Sequence, residues 1–232
     1  MWQRVHFTPF GDDAIAPTVE VWQADLDLNL SQIAGLEGLL SAEERQRAAR
    51  FRRESDRLHF TAARAILRQI LASYVGVAPQ GLEFAYTPQG KPGLITGNSQ
   101  GEIQFNLSHS YGKALYAIAL NRRVGIDLEK IRPLDGLTLA KRFFCEAEYS
   151  QLYNYPKYAQ NRAFFQLWTA KEALLKATGT GLMGLKDVEI LPQNYGQLFR
   201  AKIVGYSPQD WYLKTWEIDN WAAAIAVETL NK

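Results

Sequence analysis

The sequence predicts an α+β protein built from two similar α/β halves related by a pseudo-twofold axis. Two observations carry that expectation. Helical and strand periodicities alternate along the chain, and one segment of each kind recurs about 108 residues on. Thr61-Ala62-Ala63-Arg64-Ala65-Ile66-Leu67-Arg68 resembles Thr169-Ala170-Lys171-Glu172-Ala173-Leu174-Leu175-Lys176 at a separation of 108, and Ala117-Ile118-Ala119 recurs as Ala224-Ile225-Ala226 at 107. The expected halves are residues 1–121 and 122–232, with a ligand in the cleft between them.

The elements follow in order. Ser41, with Glu44 three residues on, forms a capping box that opens a helix at Ala42. A second helix is predicted over residues 55–74, stopped by Gly76. Pro88-Gln89-Gly90-Lys91-Pro92 and Gly97-Asn98 read as loops. Residues 105–107, 114–120 and 124–128 read as strands, the last cut off by Pro133. A helix over 137–143 and a short one after Cys145 lead to a long helix over 161–177 that ends at Gly179. Residues 185–191, 199–206, 211–218 and 222–229 read as strands, several alternating with period two.

Composition bounds the function. Of 232 residues 47% are hydrophobic and 22% charged, enough apolar side chain to offset the entropy of ordering. The net charge of +2 provides no global field for nucleic acid or a membrane surface. A single cysteine, Cys145, excludes an intramolecular disulfide framework and a cysteine-based zinc site. Residues 1–10 mix Arg4, His6 and Pro9 among the apolar ones, unlike a signal peptide, and no run approaches 18 apolar residues. A soluble, cytoplasmic protein is expected, with neither nucleic acid nor membrane as partner.

Charge is unevenly spread. Residues 41–68 hold eight arginines against four acids, a local +4 that leaves about −2 for the rest. Such a segment is either a solvated helical face or a site for an anion gripped by guanidinium forks.

Three stretches have chemistry in them. On a strand, Asp127 and Glu129 of Val124-Gly125-Ile126-Asp127-Leu128-Glu129 share a face. Neighbouring carboxylates repel unless a proton or a hard cation such as Mg²⁺ intervenes; alternatively they are solvent-facing acids matched by Lys130 and Arg132. Helical spacing puts Trp168, Glu172 and Lys176 on one face, where Glu172 and Lys176 also suit an ordinary salt bridge. Ser108-His109-Ser110, directly after an apolar strand, reads as a ligand-facing loop, or its histidine as a structural, hydrogen-bonded one.

Taken together, Gly125-Ile126-Asp127-Leu128-Glu129 and, some forty residues on, Trp168-Thr169-Ala170-Lys171-Glu172-Ala173-Leu174-Leu175-Lys176 resemble the paired signature of 4′-phosphopantetheinyl transferases. The likeness is to the long, surfactin-synthetase-activating (Sfp) type, and to its cyanobacterial members. Leu40-Ser41, Gly90-Lys91-Pro92, Phe105-Asn106-Leu107-Ser108-His109-Ser110 and Ala140-Lys141-Arg142-Phe143-Phe144 match in the same order, so that the resemblance covers about residues 40–190.

The resemblance implies transfer of the 4′-phosphopantetheine arm of coenzyme A (CoA) to a serine of an apo acyl, peptidyl or aryl carrier protein, releasing adenosine 3′,5′-bisphosphate. It implies a pseudo-dimeric monomer with CoA in its cleft. By matched position, Asp127, Glu129 and Glu172 would hold Mg²⁺ (or Mn²⁺), and Glu172, Lys176 and Asp127 would be catalytic. Lys176 would steady the pyrophosphate, Ser108 and His109 would contact CoA phosphates, and Gly90, Lys91 and Pro92 would line the adenine end. Arg47 falls where the family places a base near the 3′-phosphate, but its other basic residue there is matched by Glu44. The repeat puts Arg64 at the place of Glu172 and Arg68 at that of Lys176, and both arginines are further phosphate candidates. Lys141 and Arg142 would face an acidic carrier, unless they merely cover an ordinary surface helix. Another Mg²⁺-dependent phosphoryl transferase and a non-catalytic CoA-binding module are the rival readings; no Gly-x-x-x-x-Gly-Lys-Ser/Thr loop supports the former.

Overall fold

In the computed structural model, residues 2–5, 19–95, 101–192, 198–203, 205 and 211–229 are described. The expected turn at Gly97-Asn98 lies outside them. The first half runs β1 (Trp2–Val5), β2 (Val19–Asp25), α1 (Leu30–Glu37), α2 (Ala42–Ala49), α3 (Glu54–Val75), a 3₁₀ turn (Pro79–Gly81), the hairpin β3 (Phe84–Tyr86) and β4 (Pro92–Leu94), then β5 (Ile103–Ser110) and β6 (Lys113–Leu120). The second runs β7 (Val124–Lys130), α4 (Gly136–Phe143), α5 (Glu146–Tyr153), α6 (Lys157–Thr178), a 3₁₀ turn (Leu182–Asp187), β8 (Val188–Pro192), β9 (Leu198–Ile203), β10 (Trp211–Ile218) and β11 (Trp221–Glu228). One sheet has the order β1-β2-β6-β5, the other β7-β11-β10-β9-β8, and among the described residues every pairing in them is antiparallel.

Most boundaries follow from local chemistry. The Ser41–Glu44 capping box forms reciprocally, with Ser41 N–H donating to Glu44 and Glu44 N–H to Ser41 Oγ. Helices α3 and α6 each end on a glycine at φ +76°, Gly76 and Gly179. Before residue 41 the pattern reading assigns nothing. There the structure has β1, β2 and α1, although Asn29 and Gln32 form a readable capping box. Where a strand is expected over 185–191, the chain makes a 3₁₀ turn and enters β8 only at Val188.

The repeat is real, but its register differs from the sequence match. Helices α3 and α6 are both 22 residues long, and their capping glycines Gly76 and Gly179 stand 103 residues apart, not 108. Five residues on a helix rotate the face by about 140° at 3.6 residues per turn. Arg64 therefore does not correspond to Glu172, nor Arg68 to Lys176; Arg68 corresponds to Lys171. On the strands the separation is 108, from Lys113 to Trp221 at the starts of β6 and β11. A one-residue slip there would exchange the two faces of the strand.

Layering follows from side-chain alternation. Val21, Leu115 and Ala117 of the first sheet pack with Ile126, Leu128 and Ile225 of the second, forming a core between the sheets. The opposite faces carry the helices: α3 packs on Phe105 and Tyr116, and α6 on Ala222, Ala224 and Ala226. Gly125 makes one of these contacts possible. A Cβ there would stand 1.9 Å from Ala173 O and 2.4 Å from Ala177 N, so only glycine lets α6 lie directly on β7.

Each half also buries an ion pair at equivalent places. Glu44, on α2, accepts from Arg64 Nε at 2.5 Å and Arg68 Nε at 2.7 Å; all three residues are buried. Glu148, on α5, accepts from Lys171 Nζ at 2.6 Å and from Ile190 N–H at 2.7 Å. Both glutamates are the third residue of a capped helix, so the cap and the ion pair share one carboxylate.

Candidate active site

The two carboxylates of β7 point to the α6 side of the sheet, the same side as Gly125, because strand side chains alternate. From α6, Lys176 Nζ reaches Asp127 Oδ1 at 2.6 Å and Ser108 Oγ at 3.0 Å. Ser108 Oγ also donates to Asp127 Oδ1 at 2.8 Å. The second oxygen, Asp127 Oδ2, is buried with no hydrogen-bond partner. An orphaned carboxylate oxygen is costly unless a cation or a donor takes it up.

The neighbouring acids respond to the same excess of negative charge. Burial, then the charge of Asp127, pushes Glu172 up to about 7, against the opposing pull of Lys176. Glu129 is raised as well, by burial and then by Asp127, while its Oε2 accepts from Ser110 Oγ at 3.1 Å.

Strand β5 holds this strand in place through a ladder of side chains. Asn106 Oδ1 accepts from Ile126 N–H at 2.9 Å, Ser108 Oγ from Leu128 N–H at 3.3 Å, and Ser110 Oγ from Lys130 N–H at 3.2 Å. Every second residue of β5 thus satisfies every second amide of β7, where the two sheets share no backbone pairing.

Two cavities flank the β3–β4 hairpin. One, of about 340 Å³, is lined by Gly90, Lys91, Pro92, Glu172, Lys176 and Gly179. The other, of about 500 Å³, is lined by Glu43, Arg47, Arg50 and Tyr86. Tyr86 and its cross-strand partner Pro92 thus face different cavities. The larger cavity is lined by none of Asp127, Glu129 and Glu172; the smaller one is lined by Glu172 and Lys176. Within it Lys91 Nζ spans the halves, donating to Ala177 O at 3.1 Å and Val124 O at 3.3 Å. Burial, then the charge of Arg123, brings its ammonium down to about 8.

Comparison with known proteins places this arrangement. Residues 27–120 match the family model of the 4′-phosphopantetheinyl transferase N-terminal region, and residues 123–226 that of the 4′-phosphopantetheinyl transferase superfamily. The 4′-phosphopantetheinyl transferase HetI of Nostoc sp. is 44% identical over 177 residues, covering 76% of this chain and 75% of that protein. The chain belongs to the 4′-phosphopantetheinyl transferase superfamily. A putative transferase of Synechocystis sp. is 40% identical over 72% of this chain and 68% of its own length. The Bacillus subtilis transferase Sfp is 30% identical over 78% of each.

In this transferase, Asp127, Glu129, Glu172, Lys176 and Ser108 come together as the sequence leads one to expect, with Gly90, Lys91 and Pro92 across the cavity. His109 is exposed at the next position of β5, its imidazole held below the ordinary histidine value by the protein packed around it, then by the charges of His59 and Lys176. Arg47 lines the larger cavity, with its guanidinium over Phe60. Arg68 is buried on Glu44 and the Pro79 and Leu82 carbonyls, away from any phosphate, and Arg64 is a correction too. Its guanidinium is turned inward onto Glu44 and Tyr86, the latter at 2.8 Å, so it props the wall of that cavity instead of presenting itself to a phosphate. Lys141 and Arg142 are exposed on α4, whose Leu137 and Phe143 pack on the core. Asn106, Ser110 and Lys171 carry structural roles that the motifs did not single out. The alternation Asn-x-Ser-x-Ser inside an apolar strand was the readable sign of the ladder.

The residues present fit a magnesium ion. Among the described residues, no group of three or more His, Cys, Asp or Glu forms a ready-made metal cage. Mg²⁺ is commonly bound through one or two carboxylates, with waters and substrate phosphates completing its octahedron. The orphaned Oδ2 of Asp127, beside two acids whose proton affinity is raised by burial and then by the charge of Asp127, is that kind of donor set. No helix among the described residues is long and apolar enough to cross a membrane.

Proposed function

We propose that this transferase moves the 4′-phosphopantetheine arm of CoA onto a serine hydroxyl of an apo acyl, peptidyl or aryl carrier protein and releases adenosine 3′,5′-bisphosphate. The observation that carries the reading is the contact of Lys176 with Asp127 Oδ1, with Asp127 Oδ2 orphaned beside it, next to a cavity whose other wall is Gly90-Lys91-Pro92. Residues 1–121 would supply most of the grip on the nucleotide: Gly90, Lys91 and Pro92 at the adenine end, Ser108 and His109 at the phosphates, and Arg47 toward the 3′-phosphate. Residues 122–232 would supply the chemistry.

Asp127, Glu129 and Glu172 would hold Mg²⁺, or Mn²⁺ in its place, without forming a closed cage. Bound there, the ion would neutralise pyrophosphate charge as the anhydride is attacked. Glu172 accepts the proton of the attacking serine, the new bond forming from serine oxygen to the phosphorus that carries the pantetheine arm. The bond from that phosphorus to the bridging oxygen breaks. Lys176, now on Asp127 and Ser108, delivers a proton to the departing phosphate. Gly125 sets the distance between α6 and β7, and the β5 ladder holds β7 in place; both transfers depend on that geometry. With both halves on one chain, a monomer is complete, and the cytoplasm, where CoA is made available, is its compartment.

The test is direct: incubation with CoA, Mg²⁺ and an apo carrier should add roughly 340 Da to the carrier, the mass of one phosphopantetheine group, by intact-protein mass spectrometry. Binding of CoA without that increment would leave only a binding module.

A further inference from the structure

The hairpin that follows the Ser108-His109-Ser110 segment turns through Tyr111 and Gly112, both in the left-handed region at φ +46° and +78°. Such two-residue turns favour Asn, Asp or Gly, because a side chain at positive φ crowds its own backbone. The equivalent turn of the second half, between β10 and β11, has Asp219 at φ +52°, a residue type that suits it. A tyrosine in this conformation carries a steric cost, and residues kept at such a cost cluster at functional sites.

Tyr111 is 58% exposed, yet its ring is flanked by charge. Lys130 Nζ lies 5.3 Å from its centre and the Arg132 guanidinium 5.6 Å, within cation–π range. Among the described residues neither cation is within ion-pair distance of a carboxylate, although the charge of Arg132 is felt by Glu129 and the two cations also lie over Trp221 and Phe165, whereas nearby Lys113 is paired with Asp219 at 2.7 Å. The order along β7 says which end of the site this is. Val124 O, at the start of the strand, meets Lys91 and the nucleotide-sized cavity. Asp127 and Glu129 come next, and Lys130 closes the strand at the far end. A CoA seated in the cavity leaves that far lip to the second substrate.

We propose that Tyr111, Lys130 and Arg132 form a basic–aromatic lip that docks an acidic surface segment of the carrier protein beside its acceptor serine. This rests on the transfer reading above and assigns the carrier its side of the site. Tyr111 and Arg132 are exposed and Lys130 partly so; cations with no carboxylate in direct contact call for anions, and the aromatic ring between them adds the apolar contact common at protein interfaces.

The experiment uses the full chain, a fluorescently labelled acidic apo carrier, CoA and Mg²⁺. Tyr111→Gly relieves the backbone, so its melting temperature should equal or exceed that of the wild type, while its Kd and KM for the carrier should rise at least fivefold. Arg132→Glu should raise both by tenfold or more and flatten their salt dependence. KM for CoA should stay within twofold in both variants. A purely structural Tyr111 would give the opposite for Tyr111→Gly: altered stability with carrier affinity unchanged. Unchanged carrier Kd and KM in both variants, or no carrier binding by the wild type, would overturn the inference. Wild-type protein that binds the carrier, with the variants weakened, but adds no phosphopantetheine would overturn the transfer reading and leave the docking lip standing.

Discussion

Lys176 and Asp127 share one hydrogen bond of 2.6 Å, and the oxygen of Asp127 that Lys176 does not touch is buried without a partner. One carboxylate thus faces two tasks: one oxygen holds the proton donor, the other is left for a cation. Replacing Asp127 with Asn keeps the volume and removes the charge on which both depend. Transfer should fall by about 10²–10³-fold, as for removal of one electrostatic partner of a reacting group. Far-ultraviolet circular dichroism should be unchanged. A rate near wild type would remove Asp127 from the chemistry.

Gly125 is the point of closest approach between β7 and α6. With 1.9 Å from its added Cβ to Ala173 O, Gly125→Ala must push backbone against backbone, where no side chain can yield. Overpacking of this kind costs about 1–3 kcal/mol, and the melting temperature should fall by about 2–4 °C for each. Because the displaced helix carries Glu172 and Lys176, transfer should fall more than stability does. Thermal unfolding and initial rates on the same preparation measure the two together.

How much of this was legible follows from which interactions are local. The Ser41–Glu44 cap, the glycine stops at Gly76 and Gly179, and the shared face of Asp127 and Glu129 depend on neighbours within one turn or one strand, and they read directly from the sequence. The register of the repeat did not. Ala- and Leu-rich helices match one another at several offsets, and only the caps place α3 against α6, 103 residues apart. That five-residue difference put Arg64 in the wrong place, since its partner Glu44 is twenty residues away and visible only in three dimensions. The β5–β7 ladder was hidden for the same reason, because Asn and Ser at alternate positions say that a face is polar but not what it meets.

The ladder has its own consequence. Asn106→Ala removes the acceptor of the buried Ile126 N–H and leaves that amide unpaired. The loss should be about 1–3 kcal/mol by urea unfolding, the cost of an unsatisfied buried donor. Ser110→Ala removes a bond to Glu129 as well as one to Lys130 N–H, but both of these partners, unlike Ile126, are partly exposed. It should therefore cost less stability and show more strongly in the Mn²⁺ affinity followed by electron paramagnetic resonance. Equal losses in both measurements for both variants would contradict this division.

Glu44 predicts the acid limb of the stability curve. Burial alone would raise its pKa, but the hydrogen bond from Arg68, the charge of Arg64 and the Ser41 amide together hold it below the ordinary glutamate value of 4.5. A carboxylate depressed in the folded state stabilises fully above its unfolded value, and that stabilisation is lost as the pH falls through the lower, folded one. Glu44→Gln cannot titrate and leaves two buried guanidinium groups without their anion, so at pH 7 it should cost about 3–5 kcal/mol. As the pH falls from 5 toward 3, the gap between wild type and Glu44→Gln in urea unfolding should narrow, because the wild type is losing what the variant never had. A gap that stays constant over this range would show that Glu44 does not carry the proton linkage.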